Sequence, residues 1–63
     1  MKINIKRYIS QKVIGHSEDG QETYLECLVE MSDSSTKQCW LLDSPTRKNI
    51  VYWQKPYIPR PQN

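Results

Sequence analysis

The stretch that most constrains this chain runs from Thr23 to Met31. Leu25, Cys27, Val29 and Met31 share one parity, and Tyr24, Glu26, Leu28 and Glu30 share the other. A repeat of two is the period of a β-strand, whose successive side chains point to opposite faces; a helix needs apolar residues three and four apart. The second parity is itself partly apolar, so neither face of this strand is wholly polar.

Turn chemistry bounds the strand on both sides. Upstream, His16-Ser17-Glu18-Asp19-Gly20-Gln21 places an Asp-Gly pair between two apolar stretches, a strong hairpin signal. Asp19 tolerates a positive φ through local hydrogen bonding, and Gly20 reaches one without steric cost. The partner strand then runs within Lys2 to Gly15, and its Ile3, Ile5, Ile9 and Val13 pattern is expected to be broken by a bulge near Arg7 to Ser10.

Downstream, Ser32-Asp33-Ser34-Ser35 is a run of small polar residues, and Thr36 to Leu42 reads as the next strand. A loop of all four residues sets Met31 opposite Thr36, Val29 opposite Gln38, Cys27 opposite Trp40 and Leu25 opposite Leu42. Glu30 then meets Lys37 and Leu28 meets Cys39 on the other face, each pair worth roughly 0.2–1 kcal/mol. A loop one residue shorter sets Cys27 opposite Cys39 and Val29 opposite Lys37, which buries less. The four-residue loop is the expectation; it separates the cysteines onto opposite faces and excludes a disulfide.

Asp43 to Asn49 is a loop by composition. Ser44 and Pro45 fit the start of a helix, but Ile50-Val51-Tyr52-Trp53 is β-branched and aromatic throughout, which favours a strand. Pro56, Pro59 and Pro61 forbid helix and central strand in the remainder of the chain. The expected fold is therefore mainly β: a small antiparallel meander of about four strands over residues 1–55, with an extended proline-rich C-terminal tail over 56–63. In that register Leu25, Cys27, Val29, Trp40 and Leu42 line one face, and Leu28, Cys39 and Leu41 the other. A sheet with apolar groups on both sides needs a cover. Rolling into an SH3-like barrel, pairing as a homodimer, or binding a different protein would each supply one. At 63 residues the core alone is worth roughly 3–5 kcal/mol.

Charge is segregated along the chain. Lys2, Lys6, Arg7 and Lys12 are the only charged residues before Ser17; Glu18, Asp19, Glu22, Glu26, Glu30 and Asp33 are then uninterrupted by a base; five bases and Asp43 follow. Antiparallel strands would bring the two signs together. The net charge of +2 is too mild to imply nucleic acid by itself. Met1 to Arg7 has no apolar signal-peptide core, and no apolar run approaches the roughly 20 residues of a membrane span. Two cysteines do not make a secreted disulfide scaffold, so the expected location is cytoplasmic, with reduced thiols and no membrane partner.

Catalysis is not expected. His16 is the single imidazole and reads as an exposed turn residue, while Cys27 and Cys39 lie mid-strand, where burial keeps thiols inert. One His and two separated Cys do not make a zinc site, Glu18, Asp19 and Glu22 read as a solvated loop, and two glycines cannot build a phosphate cradle. No metal or cofactor is expected.

Recognition remains. Arg47, Lys48, Tyr52, Trp53, Tyr57 and Arg60 interleave bases with aromatic rings, and they form the candidate binding set. Trp, Tyr and Arg dominate the energetics of protein interfaces, which makes a small protein-interaction module (a regulator, inhibitor or accessory subunit) the leading function. The same residues can stack bases and neutralise phosphates; the alternative is a nucleic-acid-binding barrel that also uses Lys6, Arg7 and Lys55. Lys12-Val13-Ile14-Gly15, followed by the acidic turn with Gly20 and then Tyr24-Leu25, resembles the start of a chromodomain or chromo shadow domain. Cys39-Trp40 sits where that family carries a strand-borne Trp. The likeness spans about half the chain and implies a small barrel. Ile50 to Trp53 and the proline tail replace the family's C-terminal helix, so neither methyl-lysine reading nor shadow-type dimerisation is carried over.

Overall fold

The computed structural model describes residues 4–62. Met1, Lys2, Ile3 and Asn63 lie outside them, and with them the expected start of the first strand and the last residue of the tail. Among the described residues all regular structure is β: β1 (Ile5–His16), β2 (Thr23–Met31), β3 (Thr36–Asp43), β4 (Ile50–Tyr52) and β5 (Arg60–Pro61). They form one antiparallel sheet in the order β4-β3-β2-β1-β5, curled into a half-barrel. The meander is as the alternation predicts. Its ends, β4 and β5, do not pair, so the curl stops short of a closed barrel.

Residues 50 to 52 resolve the choice after Pro45 in favour of a strand. Ser44 does act as a cap, but of a turn: its Oγ accepts from the Thr46 N–H at 3.3 Å, and its own N–H donates to Asn49 Oδ1 at 3.3 Å. No helix forms there.

Bulging in β1 exceeds the expectation. The pairing with β2 slips between Ile5 and Arg7, between Tyr8 and Ser10, and between Val13 and Gly15. Twelve residues of β1 thus lie against nine of β2. Each extra residue increases local twist, and three in one strand account for the curl.

The loop after Met31 overturns the expected register. Ser34 takes a φ of 72°, its N–H donates to Met31 O at 2.9 Å, and Met31 N–H donates to Ser35 O at 2.8 Å. Ser35 is therefore already paired, and the loop is Ser32-Asp33-Ser34, a turn completed by one left-handed residue. Asp33 holds it, its carboxylate accepting from the Ser35 N–H at 3.0 Å and from the Ser35 hydroxyl. With one residue fewer in the loop, Cys27 faces Cys39, Leu25 faces Leu41 and Glu26 faces Trp40. A one-residue slip moves every side chain of a strand to the other face. The cysteines share a face after all, and Trp40 and Leu42 leave it.

Cys27, Val29, Met31, Cys39 and Leu41 now form the core, with Ile5, Leu25 and Val51 packed against it. Val29 is 0 % exposed; in a sheet one layer thick that is possible only on the concave side. Val13, Leu25, Leu41 and Val51 make one apolar row across four strands. The slender side chains are inside the curl. Tyr24, Trp40 and Tyr52 are outside, while Tyr8, opposite Val29, shares the inner face.

At the first loop, Gly20 is at φ 75° and its N–H donates to Ser17 O at 2.9 Å. Asp19 keeps a negative φ and serves instead as an acceptor for Gln21 N–H at 3.0 Å and for the Ser17 hydroxyl. From β4 the chain returns to the opposite edge of the sheet, extended as the prolines require, and Arg60 and Pro61 pair with His16 and Gly15. A β-carbon on Gly15 would lie 2.3 Å from Ile58 Cγ2 and 2.6 Å from Arg60 O. The bare backbone at residue 15 is what lets the tail seat there.

Candidate recognition surface

Two rows cross the outer face. Gly15, Tyr24, Leu42 and Ile50 make one, and Lys12, Glu26, Trp40 and Tyr52 the next. Leu42 is 4 % exposed, so this face has a small apolar centre of its own. Around it Tyr24, Trp40 and Tyr52 are half-buried, and Ile50 and Leu28 stand more exposed.

Arg47 and Glu22 border this patch. The Arg47 Nε donates to Glu22 Oε2 at 2.8 Å, and a terminal guanidinium nitrogen donates to the same oxygen. The Glu22 carboxylate raises the Arg47 pKa further above its ordinary value. Burial lifts the Tyr24 phenol above its ordinary range, and the neighbouring Tyr52 and Glu22 add to the lift. Two tyrosines, an arginine and a glutamate thus meet at one end of the face.

The second ion pair joins Arg7 Nε to Glu30 Oε1 at 2.6 Å. Each pair links the acidic middle of the chain to one of its basic ends. Glu30, expected to meet Lys37, meets Arg7 because Lys37 now lies opposite Val29.

The candidate residues are divided by the fold. Arg47 and Tyr52 come together, and Trp53, 49 % exposed, comes directly after β4. Lys48 is exposed on the loop before it. Tyr57 stands out at 81 % exposure on the returning segment, while Arg60 is on β5, at the other edge of the sheet. Glu22, Tyr24 and Trp40 are the neighbours that the candidate set lacks. Their signal lies in Tyr24's even parity and in the acidic block that must find bases.

Among the described residues, two buried side-chain polar atoms have no partner. One is Trp40 Nε1 on this face; the other is Nδ1 of His16, which ends β1 between Thr23 and Arg60 and is half-buried rather than an exposed turn residue. Among the described residues no group of three or more His, Cys, Asp or Glu is close enough to hold a metal ion, and no helix is long and apolar enough to cross a membrane. Compared with known proteins, the chain matches no family model, and no curated protein or solved structure resembles it significantly. The chromodomain likeness therefore rests on the quoted residues alone.

Proposed function

We propose that this chain is a small non-enzymatic protein-interaction module, acting in the cytoplasm as a regulator, inhibitor or accessory subunit of a protein partner. Its contact surface is the outer face over β3 and β4, with Ile50 and Tyr52 at the centre and Arg47 at the rim, and Trp53 follows directly after β4. One observation carries this reading: Leu28 and Ile50 are each 39 % exposed on the face of the half-buried Trp40, on a sheet one layer thick. Aromatic anchors within a polar rim are the anatomy of a protein interface.

The charge arrangement favours protein over nucleic acid. Arg47 is held by Glu22, and Glu26 and Glu30 share the face of Trp40, so a phosphate chain laid along the rings would meet carboxylates.

The test pairs a capture experiment with a salt titration. Tagged wild-type chain should retain one protein from its own cells that a variant carrying Ile50→Ser and Trp53→Ala loses while melting as the wild type does. Equal capture by both would move the site elsewhere. Failure of the wild type to retain any protein, with binding to random-sequence oligonucleotides that falls steeply and log-linearly with salt, would establish the nucleic-acid alternative instead.

A further inference from the structure

The outer face draws on β3 and β4, and β1 has a property of its own. Seven consecutive residues of it, Lys6 to Lys12, are exposed, with Tyr8 and Ile9 at 39 % each. One side of β1 pairs with β2. On the other side β5 meets only Gly15 and His16, and Gln62 N–H donates to Ile14 O at 2.8 Å. Among the described residues nothing else pairs with that side of the strand. The ladder shows which groups are open there. Met31 N–H donates to Ser35 O, and bonded and non-bonded pairs alternate along antiparallel strands. Counting from that bond, Val29, Cys27 and Leu25 bond to β3, so Leu28 and Glu26 turn their backbone groups toward β1. Their partners are Ser10 and Lys12. Gln11 and Val13 therefore point N–H and C=O away from the sheet. Pairing is regular from Ser10 to Val13 and slips on either side of that window.

Charge says what fits this edge. β1 carries Lys6, Arg7 and Lys12 and no acid. Arg7 is engaged by Glu30, while Lys6 and Lys12 make no ion pair among the described residues. A strand added here would lie about 4.8 Å from β1 and about twice that from Glu26 and Glu30 on β2. Coulomb attraction falls with distance and is screened over about 8–10 Å, so the nearer bases outweigh the acids behind them. The two faces differ as well. Lys12 shares the outer face with Glu26, and Gln11 and Val13 share the inner face with Cys27 and Leu25.

We propose that β1, from Ser10 to Val13, takes up a short extended segment of a partner protein in which acidic and aliphatic residues alternate. The segment adds a strand to the sheet, in line with β5. Its aliphatic residues lie opposite Gln11 and Val13, exchange backbone hydrogen bonds with them, and extend the inner apolar face beside Val13. Its acids fall between, on the outer face beside Lys12. Main-chain bonds supply affinity in strand addition, and alternate side chains supply selectivity. The slips on either side keep the captured segment short. This is a second contact beyond the outer face, made by backbone rather than by rings.

The experiment varies the peptide and keeps the wild-type chain, so no variant has to fold. The probe is a capped peptide of alternating Glu and Val, about six residues long, and amide hydrogen exchange is followed residue by residue by NMR. At about ten times its dissociation constant the peptide should slow exchange at the Gln11 and Val13 amides by about tenfold and leave Ile50, Val51 and Tyr52 as they were. A peptide with Lys in place of Glu should not bind. N-methylation of the Val residues keeps the charge and removes the ladder donors, and should weaken binding by about tenfold or more. Equal binding by the Lys peptide would remove the charge selection, and equal binding by the N-methylated one would remove strand addition. Either result overturns the proposal, as does no binding at all or protection confined to β4.

Discussion

The inner and outer faces of this sheet carry similar numbers of apolar residues, yet they do different work. Inside the curl Cys27, Val29, Cys39 and Leu41 are buried, slender and free of polar atoms other than thiols. Outside, Tyr24, Trp40 and Tyr52 surround one buried leucine and border an ion pair. A half-barrel explains the division. Its concave side buries narrow side chains and leaves its one ring there, Tyr8, partly exposed, and its convex side spreads large ones apart, leaving edges of each ring wet. Stability belongs to the first face; the second is the one proposed for contact.

Paired substitutions test that division most sharply. Val29→Ala removes two methyl groups from a sealed site and should cost about 2 kcal/mol, roughly half of what so small a core provides. The measurement is a urea midpoint. Leu28→Ser, one residue away on the outer face, should cost less than about 0.5 kcal/mol. Equal losses would mean that the faces do not differ as described.

Between those two in size is a change in the loop that sets the faces. Ser34 holds a left-handed φ of 72° that a residue with a β-carbon adopts at a cost. Ser34→Gly should therefore stabilise the chain by about 0.5–1 kcal/mol, read from the same urea midpoint. A loss would indicate a different loop.

That loop also marks where the sequence stops being legible. The alternation from Leu25 to Met31 and the aromatic run at Ile50 to Tyr52 display their strand character openly, because one residue type repeats along a single element. The Asp-Gly turn is visible for the same reason. Register is different: it depends on whether Ser34 or Ser35 closes the hairpin, and two serines in a row look alike. Pair energies, Glu30 with Lys37 and Leu28 with Cys39, argue for the longer loop, whereas the turn's own hydrogen bonds to Asp33 decide for the shorter one. The site is affected in the same way. Arg47 and Tyr52 are visible as a base and an aromatic near each other in the chain, but Glu22 and Tyr24 join them only through β2–β3 pairing. Arg60 takes its place beside His16 only through the pairing of β5 with β1.

The smallest expected effect concerns acid. Asp19 and Asp33 are both held below their ordinary values, first by the hydroxyls of Ser17 and Ser35 and then by the backbone N–H groups of Gln21 and Ser35. A carboxylate with a lower pKa in the folded state adds stability above its unfolded value, and loses it as pH falls through the folded one. The thermal midpoint should therefore hold steady from pH 7 to about 4 and decline below that. Asp19→Asn combined with Asp33→Asn should flatten the decline. An unchanged acid limb would show that these two turns do not set it.

β5 covers β1 only at Gly15 and His16, which leaves the rest of a long strand with its backbone groups open to any neighbour. A flat edge of that length would template stacking into fibrils. Here the residue count slips three times along it, and Lys6, Arg7 and Lys12 project from the same stretch. A second chain laid alongside would lose its spacing within a few residues and meet like charge. The kinks that curve the sheet also keep it from polymerising.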